Sequence, residues 1–190
     1  METPDDALIA AYRKGDAGAF TRLYDRHERR LYAFLCALAG RDAQVDDVFQ
    51  LTWMKAIARL GQYRGGDRFR AWLFRIGHRC WLDHLRSSPQ QRERPLLAPA
   101  PASTDGLAQD AWLDPKPGPD ALAAGNEMAA RIEEAVATLP PPLRETLLLR
   151  LEGELTHREI AEAMACPLGT TLWRANEALR RVRLYLEETA

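Results

Sequence analysis

Cysteine is scarce in this 190-residue chain: Cys36, Cys80 and Cys166 are odd in number and far apart, which argues against a disulfide framework as its scaffold. No apolar run approaches the roughly 18 residues that would mark a membrane span. The opening stretch "METPDDALIAAYRKGD" lacks the basic start and apolar core of a secretion signal. The expected compartment is therefore the reducing cytoplasm. No segment shows a convincing strand pattern, and neither a phosphate-cradling glycine loop nor a nucleophile elbow is present. Cys80, Asp83 and His84 fall on one helix face, but without a further ligand they make a poor metal site. Asp83 and His84 are adjacent and so point to different faces, which rules out a simple acid–base pair. No catalytic residue, metal, cofactor or small-molecule substrate is expected; the chemistry of this chain is recognition.

What the chain does have is helical periodicity and unevenly placed charge. It is 46% apolar and 28% charged with net charge −1, as in an ordinary globular protein. Residues 1–95 carry 17 Lys and Arg against 12 Asp and Glu, a net +5. Residues 96–126 carry one against four, and residues 127–190 eight against eleven, each a net −3. Strong phosphate contact is thus expected from the first half.

The spacing predicts a helix in "TPDDALIAAYRK", with Thr3 as N-cap, Pro4 at its first position and Asp5 and Asp6 at the positive dipole end. Gly15 closes it and Asp16 caps the next. There Leu23, Tyr24, His27, Leu31, Phe34, Leu35 and Leu38 recur at three- and four-residue steps up to Gly40. From Asp42, "DAQVDDVFQLTWMKAIARL" repeats that pattern, and "GQYRGGDR" is a loop. A further helix, "FRAWLFRIGHRCWLDHLRS", runs to about Ser88. Residues 89–126 hold seven of the twelve prolines without helical periodicity and read as a linker. Helices resume in "EMAARIEEAVATLP", "PLRETLLLRLEG", "THREIAEAMA" and "PLGTTLWRANEALRRVRLYLEE". The expected fold is all-α: two small helical domains, 1–88 and 127–190, joined by a proline-rich linker over 89–126.

Three stretches carry candidate chemistry. In "THREIAEAMACPLGTTLWRANEALRR", Thr156 and Glu159 form a capping box, Ile160 and Met164 face inward, Ala165 sits at the turn and Pro167 opens the second helix. The spacing matches a helix-turn-helix, though an ordinary helical hairpin explains the local pattern as well. In the second stretch, Arg70, Arg75, Arg79 and Arg86 alternate with Phe69, Trp72, Phe74 and Trp81 beside "RGGDR". This arrangement suits unstacked bases on a basic surface, or equally a core of aromatics with a solvated arginine rim. In the third, Asp46 and Asp47 precede Gln50 and Leu51 by one turn, which suits a basic partner helix or a solvated face at a helix start.

Taken in order, "DDVFQLTWMKA", "FRAWLFRIGHRCWLDHLR" and "LPPPLRETLLLRLEGELTHREIAEAMACPLGTTLWRA" resemble regions 2.2, 2.3–2.4 and 4 of the extracytoplasmic-function (ECF) sigma factors of bacterial RNA polymerase. The resemblance implies that Asp46, Asp47, Gln50 and Leu51 dock on the β′ clamp helices of core RNA polymerase. It implies that Arg64, Asp67, Arg68, Arg75 and Arg79 capture and hold the opened −10 element. Thr156, Arg158, Thr170, Thr171, Trp173 and Arg174 would read the −35 element while the second domain packs on the β flap. Promoter DNA and an anti-sigma factor are the further implied partners. The chain differs from the family pattern at Leu51, Arg79, Ala165, Leu172, Trp173 and Glu177; for Ala165 a left-handed turn would cost about 1 kcal/mol relative to glycine. Two other functions stay open on the sequence: a polymerase-independent helix-turn-helix regulator, and a sigma-like protein that docks without reading DNA.

Overall fold

The computed structural model describes residues 3–40, 44–87 and 119–189. Every regular element among them is helical. The helices are α1 (Asp5–Arg13), α2 (Ala17–Ala39), α3 (Val45–Arg59), α4 (Phe69–Ser87), α5 (Pro119–Thr138), α6 (Pro141–Leu151), α7 (His157–Met164) and α8 (Leu168–Glu188), with a 3-10 turn over Leu60–Gln62.

Periodicity placed the long helices correctly. Leu23, His27, Leu31, Phe34, Leu35 and Leu38 of α2 are all buried, each apolar one contributing about 1.5–3 kcal/mol through removal from water. Asp16 caps α2 by accepting from the Ala19 N–H at 3.2 Å. Three local expectations need correction. Pro4, not Thr3, is the residue before α1, and no side chain caps that helix. Thr3 instead gives its carbonyl to Arg26. Pro167 lies one residue before α8 rather than inside it. Helix α5 begins at Pro119, inside the stretch read as linker; proline suits a first helical position and the alanines and leucine after it are strong helix formers. Asp42, expected to start α3, Ser88, expected to end α4, and residues 89–118 of the linker lie outside the described residues.

The first bundle, α1–α4, surrounds Leu31, Phe34, Leu73 and Phe74. The second packs α5, α6 and α7 on α8 around Leu143, Leu147, Leu149 and Ile160. These cores are continuous, because α2 packs on α6 and α4 on α7. Glycine makes one close approach possible at this junction. A Cβ at Gly153 would stand 2.6 Å from the Leu149 carbonyl and 3.1 Å from Phe74. Polar contacts line the same seam: Glu154 pairs with Arg30 and Arg70, and His78, 3% exposed, meets Glu145 at 3.2 Å. The Arg30 hydrogen bond, with the Arg70 charge behind it, outweighs desolvation and holds the Glu154 carboxyl below its usual range.

Candidate nucleic-acid and polymerase interfaces

Helix α3 turns Val45, Val48, Thr52 and Ala56 inward and therefore Asp46, Asp47, Gln50 and Leu51 outward. All four predicted docking residues are exposed on that face, and Met54 and Ile57 extend it with exposed apolar surface. Asp46 accepts from the Tyr32 hydroxyl at 2.9 Å. That hydrogen bond and the Asp46 charge push the Tyr32 phenol up to about 12, so it stays a donor that fixes Asp46. No local pattern points to Tyr32 as the partner of Asp46, because it sits on α2, 14 residues away.

The arginines of the second candidate site split from their aromatic neighbours. Phe69, Phe74 and Trp81 are buried at 1%, 0% and 4% exposure, so they are core. Trp72 alone of the four is only half-buried. Arg64, Arg68, Arg75 and Arg79 are exposed, and none forms an ion pair among the described residues. Arg64, Arg68, Arg75, Tyr63 and Trp72 line one cleft. Arg75 and Arg79 line a second with Lys55 and Arg59 of α3, two cations the sequence reading missed. Asp83 is the acid of that second cleft and is engaged by Lys55 and Arg86. Asp67 is exposed and left-handed, with φ 52°. Arg70 is drawn aside by Glu154. Across the first cleft stand Glu159 and Glu162 of α7.

In the second bundle the capping box forms as expected: Thr156 accepts from the Glu159 N–H, and Glu159 accepts from the Thr156 N–H at 2.8 Å. Ala165 is left-handed at φ 51°, ψ 46°, the conformation anticipated at a helix-turn-helix turn. Thr156 and Arg158 are exposed and Thr170 is half-buried. Thr171 requires correction. It is fully buried, its hydroxyl facing Cys166 Sγ and the Pro167 carbonyl, and it cannot reach a base edge from there. Trp173 is 38% exposed and so is not a core residue. Arg174 is half-buried, with its guanidinium 3.9 Å from Cys166 Sγ.

Glu177, where a basic residue is usual in the family pattern, gathers Arg180 through two 2.8 Å hydrogen bonds and Arg181 through one of 2.7 Å. Those bonds, Arg180 first, bring its carboxyl down to about 2. A depressed carboxyl contributes stability above its unfolded value near 4.5 and loses it as the pH falls toward 2. The carboxylate is therefore ionised at every physiological pH, and it engages two cations that would otherwise be unpaired. Glu177→Gln is expected to release them and steepen the salt dependence of duplex DNA binding by about 1–2 logarithmic units per decade of salt. Fluorescence anisotropy across a salt series measures this, and an unchanged slope would place both arginines away from DNA.

The sequence profile of "Sigma-70 region 2" matches residues 23–92, and that of "Sigma-70, region 4" matches residues 129–171. The chain is 28% identical over 185 residues to the RNA polymerase sigma-H factor of Pseudomonas aeruginosa, covering 92% of this chain and 91% of the relative. It is 29% identical over 178 residues to the ECF RNA polymerase sigma-E factor of Escherichia coli K12, covering 92% of each. Two solved structures share the fold at 22% identity. One is CnrH in complex with the cytosolic domain of CnrY, with a TM-score of 0.66 over 99% of this chain and 100% of that one. The other is RpoE of Bartonella quintana with the anti-sigma factor NepR, with a TM-score of 0.64 over 88% and 96%. The chain belongs to the sigma-70 family and, within it, to the ECF sigma factors. It is an alternative sigma factor. No helix among the described residues is long and apolar enough to cross a membrane.

Proposed function

We propose that this sigma factor docks on core RNA polymerase through the outward face of α3. The loop after α3 and the exposed face of α4 then hold the opened −10 strand, and α7–α8 are laid on the −35 element. The observation that carries the reading is the separation on α4: its aromatics are buried while Arg75 and Arg79, with Arg64 and Arg68 of the loop, stand exposed and unpaired around Trp72. A basic rim around one accessible indole suits a single strand with an unstacked base. Asp46, Asp47 and Gln50 supply polar and acidic contacts for the β′ clamp helices, and Leu51, Met54 and Ile57 supply the apolar area. The β flap is the partner expected of the second bundle. Recognition is the whole of its role, and the chemistry of RNA synthesis belongs to the polymerase.

The seam between the bundles has a consequence for this function. Elements centred at −10 and −35 lie about 85 Å apart along B-form DNA at 3.4 Å per base pair. Bundles in contact through Phe74, Gly153 and Glu154 cannot span that distance, so the seam parts when the promoter is read. The closed form also sets Glu159 and Glu162 opposite Arg64, Arg68 and Arg75, where they compete with phosphate. A closed sigma factor is a suitable target for an anti-sigma partner, the kind of protein bound to the Bartonella quintana relative.

The test is a core-polymerase pull-down paired with run-off transcription. Asp46→Lys with Asp47→Lys is expected to weaken capture by core polymerase at least tenfold, as reversing two charges at a steered interface does. Normal capture would remove α3 from the contact. Capture without transcription from any promoter of the native host would instead favour a protein that docks without reading DNA.

A further inference from the structure

Helix α1 precedes the segment that matches Sigma-70 region 2, which begins at residue 23. Yet it grips the predicted base-capture loop at both ends. At one end of the helix, Asp6 Oδ2 accepts from the Gly66 N–H at 2.8 Å and the Asp67 N–H at 3.1 Å. Its Oδ1 accepts from the Tyr63 hydroxyl at 2.8 Å, and the Tyr63 oxygen accepts in turn from the Arg68 N–H at 3.1 Å. At the other end, Arg13 donates to the Leu60 and Tyr63 carbonyls, both at 2.6 Å. Thus the chain from Leu60 to Arg68 is fixed at entry and exit by two side chains of one nine-residue helix.

The loop needs such holding. Gly65, Gly66 and Asp67 have φ of 78°, 90° and 52°, three consecutive positive values. Two are glycines, for which the conformation is free, but Asp67 pays a side-chain penalty. Successive amides in this arrangement make a concave nest that attracts an anion, and the anion here is the Asp6 carboxylate. Three donors converge on it, and the Tyr63 phenol is held between Asp6 and the Arg68 amide. Tyr63 also packs edge-on to Phe69 and against Trp72, at ring separations of 5.7 and 5.5 Å. The carboxylate therefore sets both the backbone of the loop and the ring that adjoins the cleft.

We infer that Asp6 and Arg13 are positioning residues for −10 recognition: α1 holds the Leu60–Arg68 loop in the conformation that receives a flipped base, without touching DNA itself. This rests on the reading that the loop receives that base. A loop already ordered pays no ordering cost when the base enters, so its loss appears as weaker discrimination at one promoter position rather than as weaker binding everywhere.

The experiment uses the full-length protein reconstituted with core polymerase on a promoter library randomised across the −10 element, read by sequencing the transcripts. Asp6→Asn preserves shape but replaces one acceptor oxygen with an amide that cannot accept. It is expected to cut base preference at one −10 position roughly tenfold, in the range of a single lost base contact, leaving the other positions and capture by core polymerase unchanged. Arg13→Ala should flatten the same position, and Arg13→Lys should restore part of it. Arg68→Ala is the control for the underlying reading. If Arg68→Ala alters preference but Asp6→Asn and Arg13→Ala do not, the positioning role is wrong. If Arg68→Ala alters nothing, the loop does not read the base and the inference falls with that reading. Amide exchange gives an independent check: Gly66 and Asp67, both of which donate to Asp6 Oδ2, should lose protection in Asp6→Ala, and retained protection there would overturn the inference even if promoter preference changed.

Discussion

Replacing Arg68, Arg75 and Arg79 together with alanine is expected to abolish stable open complexes while leaving capture by core polymerase intact. The three guanidinium groups are exposed and unpaired among the described residues, so their loss leaves no buried carboxylate orphaned and costs the fold little. What is lost is phosphate neutralisation. Each contact to a single strand contributes about 0.7 to the slope of log affinity against log salt, so the slope should flatten by about 2. Permanganate footprinting of the melted segment, repeated over a salt series, measures both effects. Loss of binding at every sequence would mark Arg75 and Arg79 as backbone contacts, which position rather than specify, while a change of preference at one position would belong to Arg68 of the base-capture loop. Trp72→Ala should behave differently: it removes a stacking surface, leaves the salt slope in place and weakens discrimination at one position. Normal melting in the triple variant would reduce the cluster to a solvated rim.

Local physics was legible in the sequence wherever the partners lie within one or two helical turns. The apolar steps of α2, the Asp16 cap, the Thr156–Glu159 capping box and the left-handed Ala165 are all determined by neighbours no more than four residues away. Outward placement of Asp46, Asp47, Gln50 and Leu51 follows from the same periodicity. Partnerships made by tertiary packing were not legible. Asp6 meets Gly66 across 60 residues, and Arg13 meets Leu60 across 47; read alone, Asp5 and Asp6 are merely acids at a helix start. In the structure Asp5 spends its charge on Arg26 and the buried His27, at 2.6 and 2.7 Å. Its spacing groups Arg70 with the strand-holding arginines, yet Glu154, 84 residues later, claims it. Thr171 failed for a related reason. Its place near the start of a recognition helix suggested DNA, but the tight turn at Ala165 and Cys166 folds its side chain inward against Cys166. Proline-rich composition likewise obscured the start of α5, because proline at a first helical position is a start signal and not a break.

Phe74→Ala is expected to be the most destabilising single substitution of the cleft helix. Phe74 is fully buried, packs on Phe34 at a ring separation of 5.3 Å, and approaches Gly153 of the second bundle. The side chain therefore fills space belonging to both bundles, and neither can collapse into the gap without pulling away from the other. Phenylalanine-to-alanine changes in such sites cost about 3–5 kcal/mol through lost transfer energy and residual cavity. Against a typical total of about 5–15 kcal/mol, this lowers the melting temperature by roughly 6–20 °C for a chain of this size. Urea unfolding followed by circular dichroism gives the magnitude, and small-angle scattering under native conditions tells where it comes from. If the seam contributes, Phe74→Ala should enlarge the radius of gyration before it unfolds the chain, and Phe74→Leu, which keeps most of the apolar volume, should do neither. A cost below about 1.5 kcal/mol, with no expansion, would show that Gly153 does not rest on this ring in solution and that the bundles are already apart before polymerase is bound.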